Sequence, residues 1–223
     1  MVTISQAVRD VLERKVFYRE AISRGIVSYN SLAKNLKKDL EAQTGKPAKH
    51  TAIVMALRRQ SEDLKKLDKK PSFHYSISTI KTDIFYVVVE HSPDLLNKLY
   101  RFCSIIDFKR GGILNIIQGN FELAFITNNK YKDDVLDFLQ DEKILETIDN
   151  LASLSLCYSK EFLRTPGTMY DILRFVAWEN INIVDIILTR TELSLLIDKK
   201  DLMTCYETLS RFVERSNRNE LES

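Results

Sequence analysis

The residues best placed to do chemistry lie in the stretch 164–198, which opens with Arg-Thr-Pro-Gly-Thr. Pro166 and Gly167 mark a turn and the start of an amphipathic helix, whose first backbone N–H groups have no partner inside the helix. Two apolar runs then predict neighbouring strands at Ile181–Leu188 and Leu193–Ile197. A helix N-terminus beside a loop and a strand edge suits a small anion, so we expect a carboxylate site at this turn.

A second set of candidate residues is basic and lies near the N-terminus. Residues 1–70 carry a net charge of +8 and residues 71–223 a net charge of −6, which together give the formal +2 of the chain. Two predicted helices joined by Gly45-Lys46-Pro47 follow the pattern of a helix-turn-helix, in which the second helix enters the DNA major groove. The predicted DNA contacts are Lys46, Lys49, His50, Thr51, Arg58 and Arg59. Solvated or protein-binding helices and an RNA-binding surface are the alternatives.

No catalytic constellation emerges from the remaining polar residues. The histidines and cysteines are scattered, without the spacing of a metal site or a disulfide framework. They are His50, His74, His91, Cys103, Cys157 and Cys205. The segments Arg110-Gly111-Gly112 and Gln118-Gly119-Asn120 are turn signals without the companions of a phosphate loop. We therefore expect a non-catalytic protein with no metal and no cofactor.

The sequence also predicts where the protein is found. No apolar run approaches the ~20 residues that a membrane span needs. The first 14 residues carry charges throughout, so no secretory signal is expected. Widely spaced cysteines favour a reducing environment. We therefore expect a cytoplasmic protein with no membrane partner.

The elements of the first 70 residues are predicted to be helices. Ser5–Arg14 and Val16–Ser23 have helical apolar spacing, and Gly25 suits a left-handed helix end. The run Ser28–Ser31 offers capping oxygens before a helix that reaches Leu40, and a further helix starts at Lys49 or His50. A lysine-rich linker is expected near residue 70.

The rest of the chain alternates strands and helices. Residues 82–150 predict the order βαββαβ, and residues 151–215 repeat most of it. Predicted strands of the first copy are Ile84–Glu90, Ile113–Ile117, Phe121–Thr127 and Ile144–Ile148. The second copy begins with a strand at Leu154–Tyr158 and ends with a helix at Asp201–Val213. This alternation predicts antiparallel sheets with helices on one face.

The second copy resembles a known family. Thr165-Pro166-Gly167, the following helix, Asn180-Ile181-Asn182-Ile183 and the strand pair look like the first two-thirds of an ACT domain, a small regulatory module that binds amino acids. The segment Asn180–Ser194 is particularly similar to the tandem ACT region of aspartokinases. The resemblance implies two ferredoxin-like βαββαβ ACT-type modules. With the predicted N-terminal helices, the expected fold is α+β: an all-helical, helix-turn-helix-like domain followed by the two modules. The implied domains are 1–70, 71–150 and 151–215, with a polar, frayed tail at 216–223.

The resemblance also implies a ligand site. In ACT domains of this kind an amino acid lies between two paired modules, with its carboxylate on the turn after the first strand. Residues 165–168 would form that turn, residues 182–185 would hold the amino group, and the strand turn at 191–192 would contact the side chain. The implied ligand residues are Thr165, Pro166, Gly167, Thr168, Asn182, Ile183, Asp185, Thr191 and Glu192. Asp185 would favour a ligand with an extra positive charge, such as lysine.

One departure from the family pattern lies in the first copy, where the matching turn is His91-Ser92-Pro93-Asp94 and has no glycine. Close approach of a carboxylate to that backbone is therefore not expected. The alternative for the second copy is that Pro166-Gly167 is only a helix start and the tandem modules form a dimerisation platform.

These observations together predict an amino-acid-sensing, allosteric, DNA-binding transcriptional regulator that forms a homodimer or a higher homo-oligomer. Its DNA affinity would change when an amino acid binds between ACT modules. One alternative is a regulatory, non-catalytic subunit of an amino-acid-biosynthetic enzyme. Another is a dimerising adaptor with ligand-silent ACT modules.

Overall fold

The computed structural model describes residues 3–67 and 74–221. The chain divides into two compact units, Met1–Pro71 and Ser72–Ser223. The centre of the predicted lysine-rich linker falls in residues 68–73, which lie outside the described residues. Over the described ranges, no helix is long and apolar enough to cross a membrane.

Within residues 3–67 the N-terminal unit forms helices α1 (Ile4–Arg14), α2 (Val16–Ser23), α3 (Tyr29–Thr44) and α4 (His50–Leu67). Their ends follow local chemistry, because Thr3 and Ser28 accept hydrogen bonds from the first turns of α1 and α3. Gly45 ends α3 with φ of 66°, where a side chain would be strained. The predicted helices are therefore confirmed, and the helix-turn-helix character of α3 and α4 stays a prediction.

The four helices of this unit bury one apolar cluster between them. Each helix contributes the residues that its 3.6-residue period places on one face. The buried members are Ala7, Val8, Val11, Leu12, Ile22, Leu32, Ala33, Leu36, Leu40, Ala48, Ile53, Ala56 and Leu57. The core of this unit is therefore apolar, and its basic residues lie outside that core.

The second unit combines one antiparallel sheet with four α-helices within residues 74–221. The strands are β1 (Tyr75–Glu90), β2 (Leu114–Gln118), β3 (Glu122–Asn128), β4 (Ile144–Tyr158), β5 (Ile183–Leu188) and β6 (Glu192–Asp198). The helices are α5 (Pro93–Cys103), α6 (Lys132–Phe138), α7 (Thr168–Trp178) and α8 (Leu202–Leu221). The sheet order is β2-β3-β1-β4-β6-β5, so β2 and β5 are its edges.

Two strands are longer than the sequence pattern indicates. The predicted strand Ile84–Glu90 is only the second part of β1, and the predicted strands Ile144–Ile148 and Leu154–Tyr158 are the two ends of β4. The pair Asp149-Asn150 suggests a turn, but Asn150 has φ of 58° and the strand continues beyond it. Asparagine tolerates this left-handed conformation better than most residues. Pairing of β1 with β4 along their length therefore overrides the local turn signal.

The C-terminal helix is also longer than predicted. α8 runs to Leu221, through most of the segment that we expected to be a frayed tail. Asn217 explains part of this order, because its side-chain amide accepts from the N–H of Tyr75 at 3.0 Å and donates to the Tyr75 carbonyl at 2.9 Å. These bonds tie the end of α8 to the first residue of β1.

The helices cover one face of the sheet in two clusters. α7 and α8 pack on one half through residues such as Ile172, Val176 and Leu209, and α5 and α6 pack on the other half through Leu95 and Val135. The predicted arrangement of antiparallel strands with helices on one face is confirmed for this single sheet.

The opposite face forms a cluster without helices among the described residues. Ile84, Ile126, Leu151 and Leu196 are almost completely buried there. Residues Ile113 and Ile117 at one edge of the sheet, and Val184 and Ile187 at the other, pack against this same cluster. The sheet must therefore curl, so that its two edges approach a common apolar centre.

Candidate functional site

The turn before α7 keeps the geometry that an anion site requires. Gly167 is exposed and left-handed with φ of 83°, and among the described residues α7 has no side-chain cap. Thr168 is buried, and its hydroxyl donates to the carbonyls of Phe162 and Thr165, each at 3.0 Å. Thr168 therefore shapes the turn from inside, whereas Pro166 and Gly167 present backbone to solvent.

Tyr158 joins this turn to the β5–β6 hairpin. Its hydroxyl donates to the Thr189 carbonyl at 2.6 Å, and its backbone N–H donates to the Thr191 carbonyl at 3.0 Å. The Tyr158 ring stacks on Phe162, with ring centroids 4.0 Å apart. Burial first, and then the charge of Glu192, raises the pKa of Tyr158. The structure thus brings the predicted groups 165–168 and 191–192 to one end of the sheet.

Tyr158 and Phe162 were not among the residues predicted for the site. A signal for Tyr158 exists in the alternation Leu154, Leu156, Tyr158, which places the tyrosine on the helix-covered face at the strand end. Phe162 begins a three-residue 3₁₀-helix, Phe162–Arg164, which is too short to show a periodicity, so its role follows only from the folded structure.

The residues predicted to hold the amino group of the ligand are Asn182, Ile183 and Asp185. They lie toward the start of β5, away from the β5–β6 hairpin. Ile183 pairs with Ile197 and Leu188 pairs with Leu193, so β5 starts far from the hairpin. At about 3.4 Å per residue, the two ends of β5 are roughly 17 Å apart. A single chain therefore does not bring Asn182, Ile183 and Asp185 to the turn at Gly167.

A bulge in β5 separates these residues further. The register shifts between Ile183 and Asp185, which leaves Val184 as the extra residue. Ile183 packs with the core under α7 and α8, whereas Asp185 pairs with Leu196 of the opposite cluster. The bulge thus turns Asp185 toward the face without helices, as bulges commonly redirect a side chain.

An open cleft of about 540 Å³ runs along the outer side of α7. Its lining includes Tyr170, Leu173, Arg174, Ala177, Trp178 and Asn180. Trp178 is 77% exposed, which is unusual for so large an apolar side chain. The Arg174 guanidinium lies over the Tyr170 ring, 5.4 Å from its centroid, and burial and the nearby Arg215 lower the Arg174 pKa. The cleft combines an apolar wall with an ion pair, in which the Arg174 guanidinium lies 3.8 Å from the Asp171 carboxylate.

The matching turn in the first half is built differently. Ser92 precedes α5, and its hydroxyl oxygen accepts the N–H of Leu95 at 3.1 Å. The backbone N–H of His91 donates to the Phe121 carbonyl at 2.8 Å, which ties β1 to the β2–β3 hairpin as Tyr158 ties β4 to its own. Both halves therefore tie the end of a long strand to a hairpin. Only the second half starts the following helix with a glycine and without a side-chain cap.

The basic residues predicted to contact DNA lie on and just before α4. Lys46, Lys49, Thr51, Arg58 and Arg59 are exposed, and His50 is half-buried. Ala48 is buried, and its N–H donates to the Glu41 carboxylate at 2.9 Å, which fixes the connection between α3 and α4. The candidate residues thus have access to a partner, and their role stays a prediction.

Solved structures with a similar fold come from aspartate kinases. The regulatory subunit of aspartate kinase from Thermus thermophilus, ligand-free, is 17% identical with a TM-score of 0.50, over 62% of this chain and 97% of that one. Aspartate kinase from Synechocystis is 14% identical with a TM-score of 0.51, over 73% of this chain and 32% of the enzyme. No protein-family model and no curated protein matches the sequence. At these identities the likeness concerns the fold, and it supports the predicted resemblance to ACT-type regulatory regions.

Proposed function

We propose that this chain is a non-catalytic regulatory protein that senses an amino acid through ACT-type modules. The observation that carries the proposal is the uncapped, left-handed Gly167 turn, held beside the β5–β6 hairpin by Tyr158. Exposed backbone N–H groups at a helix start complement a carboxylate. The fold likeness to the regulatory subunit of an aspartate kinase supports the same reading.

We propose that the sheet contains two ferredoxin-like modules that share their long strands. The first comprises the second part of β1, β2, β3 and the first part of β4. The second comprises the rest of β4, β5, β6 and the first part of β1. The sheet order supports this division. Counted from its outer edge, the first half has the order β2-β3-β1-β4 and the second half has the equivalent order β5-β6-β4-β1. Packing supports it too, since Tyr75 joins the core of the second half and Phe85 that of the first.

The ligand site of this proposal is completed by a second copy of the chain. β5 is an edge strand, and two β5 strands paired antiparallel would place the start of one beside the end of the other. Residues 182–185 of one copy would then face the hairpin and the Gly167 turn of the other. The exposed Trp178 beside the cleft on α7 supports such pairing, because a second copy would cover it.

We propose that the N-terminal unit binds the partner whose binding the amino acid controls. Exposed arginines on α4 and exposed lysines just before it favour a polyanion, and DNA is the partner that we propose. The second candidate is a regulatory subunit whose basic helices dock on an enzyme. It is favoured by one observation: the Thermus thermophilus neighbour is itself a separate regulatory subunit, and the match covers 97% of it.

A thermal-shift screen against the twenty amino acids tests the sensor. A ligand present at 100 times its dissociation constant stabilises the native state by about 2.7 kcal/mol, which corresponds to a shift of several degrees. We expect such a shift with one amino acid or a small chemically related set. The absence of a shift with every amino acid would contradict the sensor and favour a ligand-silent adaptor.

DNA binding is tested with the full chain and random-sequence duplex DNA. We expect affinity to fall steeply with salt and to fall further in the Arg58→Ala, Arg59→Ala double variant, because each lost phosphate contact lowers the salt slope by about 0.9. Arg24→Ala is the control, since Arg24 lies on another helix end and pairs with Glu20 at 2.8 Å. Equal affinity of all three proteins would exclude α4 as the DNA-contacting helix and favour the enzyme subunit.

A further inference from the structure

The long strands β1 and β4 carry matching irregularities on either side of one residue pair, Ile84 and Leu151. Their register shifts once on each side of this pair, with the extra residue in β1 on one side and in β4 on the other. Each shift contains a left-handed residue, Asp83 with φ of 57° and Asn150 with φ of 58°. Within residues 74–221, the other two shifts of this strand pair contain no such residue. Since bulges bend a strand and increase its twist, the sheet bends at Ile84 and Leu151.

The residue pair at the bend also belongs to the apolar cluster on the face without helices. Ile84 and Leu151 are almost completely buried there. The edge strands β2 and β5 pack against the same cluster from opposite sides of the sheet, through residues such as Ile117 and Ile187. The bend therefore sets how closely the two halves of the sheet approach each other.

An ion pair lies beside the bend in β1. Strand β6 ends at Asp198, which is paired with Leu151, and Lys199 follows it. The Lys199 ammonium lies 2.7 Å from the Asp83 carboxylate. Because β4 lies between β6 and β1 in the sheet, this contact spans one strand. It thus ties the end of β6 to the left-handed residue of β1.

A second ion pair lies beside the bend in β4, and it is related to the first by exchange of the two halves. Strand β3 ends at Asn128, which is paired with Ile84, and Lys132 follows after one turn of 3₁₀-helix. The Lys132 ammonium lies 2.6 Å from the carboxylate of Asp149, the residue before the left-handed Asn150. Here β1 is the strand that the contact spans. Each bend therefore has a lysine that follows the last strand of the adjacent hairpin.

These two ion pairs, Lys199–Asp83 and Lys132–Asp149, are called the latch pairs below. Their four side chains are between 31% and 67% exposed, and ion pairs of this kind contribute little to the overall stability of a protein. Their effect is local instead, because each lies where the ladder between β1 and β4 is interrupted. Salt screens exposed charges, so this local effect should also depend on ionic strength.

We propose that the sheet has a hinge at Ile84 and Leu151, and that the two latch pairs hold it at the angle seen in the structure. When the latch pairs separate, the two halves turn about the hinge and the edge strands move apart. The hinge goes beyond the proposed function, since it needs no ligand. Only its use by the sensor, in which an amino acid selects one angle, rests on that function.

Hydrogen exchange of the full chain without ligand tests the hinge. The Asp83→Asn, Asp149→Asn double variant removes both negative charges, and asparagine keeps the shape of aspartate and tolerates a left-handed backbone. We expect the amides of residues 81–86 and 148–153 to exchange about fivefold faster than in the wild type, the scale set by two exposed ion pairs. Amides in the middle of β3 and β6 should keep their wild-type rates.

Glu90→Gln is the matched control for the double variant. It breaks an ion pair at the far end of β1, in which the Lys143 ammonium lies 2.7 Å from the Glu90 carboxylate. Exchange at the bend should then equal that of the wild type. Unchanged exchange in the double variant would overturn the latch. Equal acceleration through the whole sheet would overturn the hinge, because it would show a general loss of stability.

Salt gives a second measurement of the latch pairs in the unmodified protein. Ionic strength of about 1 M shortens the screening length to about 3 Å. Exchange at the bend of the wild type should then approach that of the double variant, which should itself change little. An equal response of the two proteins would contradict the latch pairs. Since neither experiment measures amino acid binding, failure of the hinge leaves the proposed sensor intact, and failure of the sensor leaves the hinge intact.

Discussion

The first and second halves of the sheet start their leading helices in different ways. Before α5, Ser92 accepts the N–H of Leu95, so the chain's own oxygen occupies the helix start. Before α7, Gly167 supplies no side chain and leaves the backbone exposed. Both helices follow a long central strand and both strands are tied to the neighbouring hairpin. The comparison shows that the second turn, unlike the first, leaves its helix start without a side-chain cap, which is what the proposed anion site needs.

The largest expected effect comes from removing the aromatic support of the second turn. Phe162→Ala should lower the free energy of unfolding by about 3–5 kcal/mol, because it opens a cavity in a fully buried core, and it should also abolish amino acid binding. Phe85→Ala removes a ring that is equally buried in the first half. Urea unfolding should show a similar loss for both variants, with binding retained in Phe85→Ala. Loss of binding in both variants would show that a cavity in the first half also disrupts the ligand site of the second half.

A smaller effect is expected from charge at the turn itself. Gly167→Asp should weaken amino acid binding about 100-fold, since a carboxylate would occupy the place of the ligand's own. Gly167→Asn is the matched control, because asparagine has nearly the same shape, no charge and a tolerance for left-handed backbone. Calorimetry should find much tighter binding in Gly167→Asn than in Gly167→Asp. Ser92→Ala, which removes the cap of α5, should leave affinity unchanged, and a change there would assign the ligand to the first half.

The smallest predicted effect is a fall in stability at alkaline pH caused by the buried Cys205 of the second half. Burial, and then the charge of Asp201, raises the pKa of Cys205 from 9.0 to about 11. The unfolded chain loses this proton first, so the free energy of unfolding should fall between these values by at most about 1.4 kcal/mol per pH unit. Urea unfolding from pH 7 to 11 should show a shallower slope for Cys205→Ala. The exposed Cys103 of α5 is the control, and its alanine variant should keep the wild-type slope.

The sequence predicts the N-terminal unit and the sheet unevenly, for physical reasons. Helix caps and apolar periods locate the starts of α1 to α4 within a residue or two, because these signals are local. The joining of β4 across Asn150 is set instead by pairing with β1, which no local pattern contains. The same holds for the site. Gly167 is visible from its turn chemistry, whereas the direction of Asp185 depends on a bulge that only the register with β6 reveals.

The bond between Tyr75 and Asn217 spans 142 positions of the chain and has a consequence for biosynthesis. Strands β1 to β4 can pair as soon as residues up to about 148 have left the ribosome, because their partners are close in sequence. The opening residues of β1 pair only when the far part of β4 arrives, and α8 secures them last of all. The second half therefore matures only after the chain has been made as far as Asn217. A nascent chain with residues only up to about 148 outside the ribosome should accordingly protect β3 from protease while leaving Tyr75 accessible.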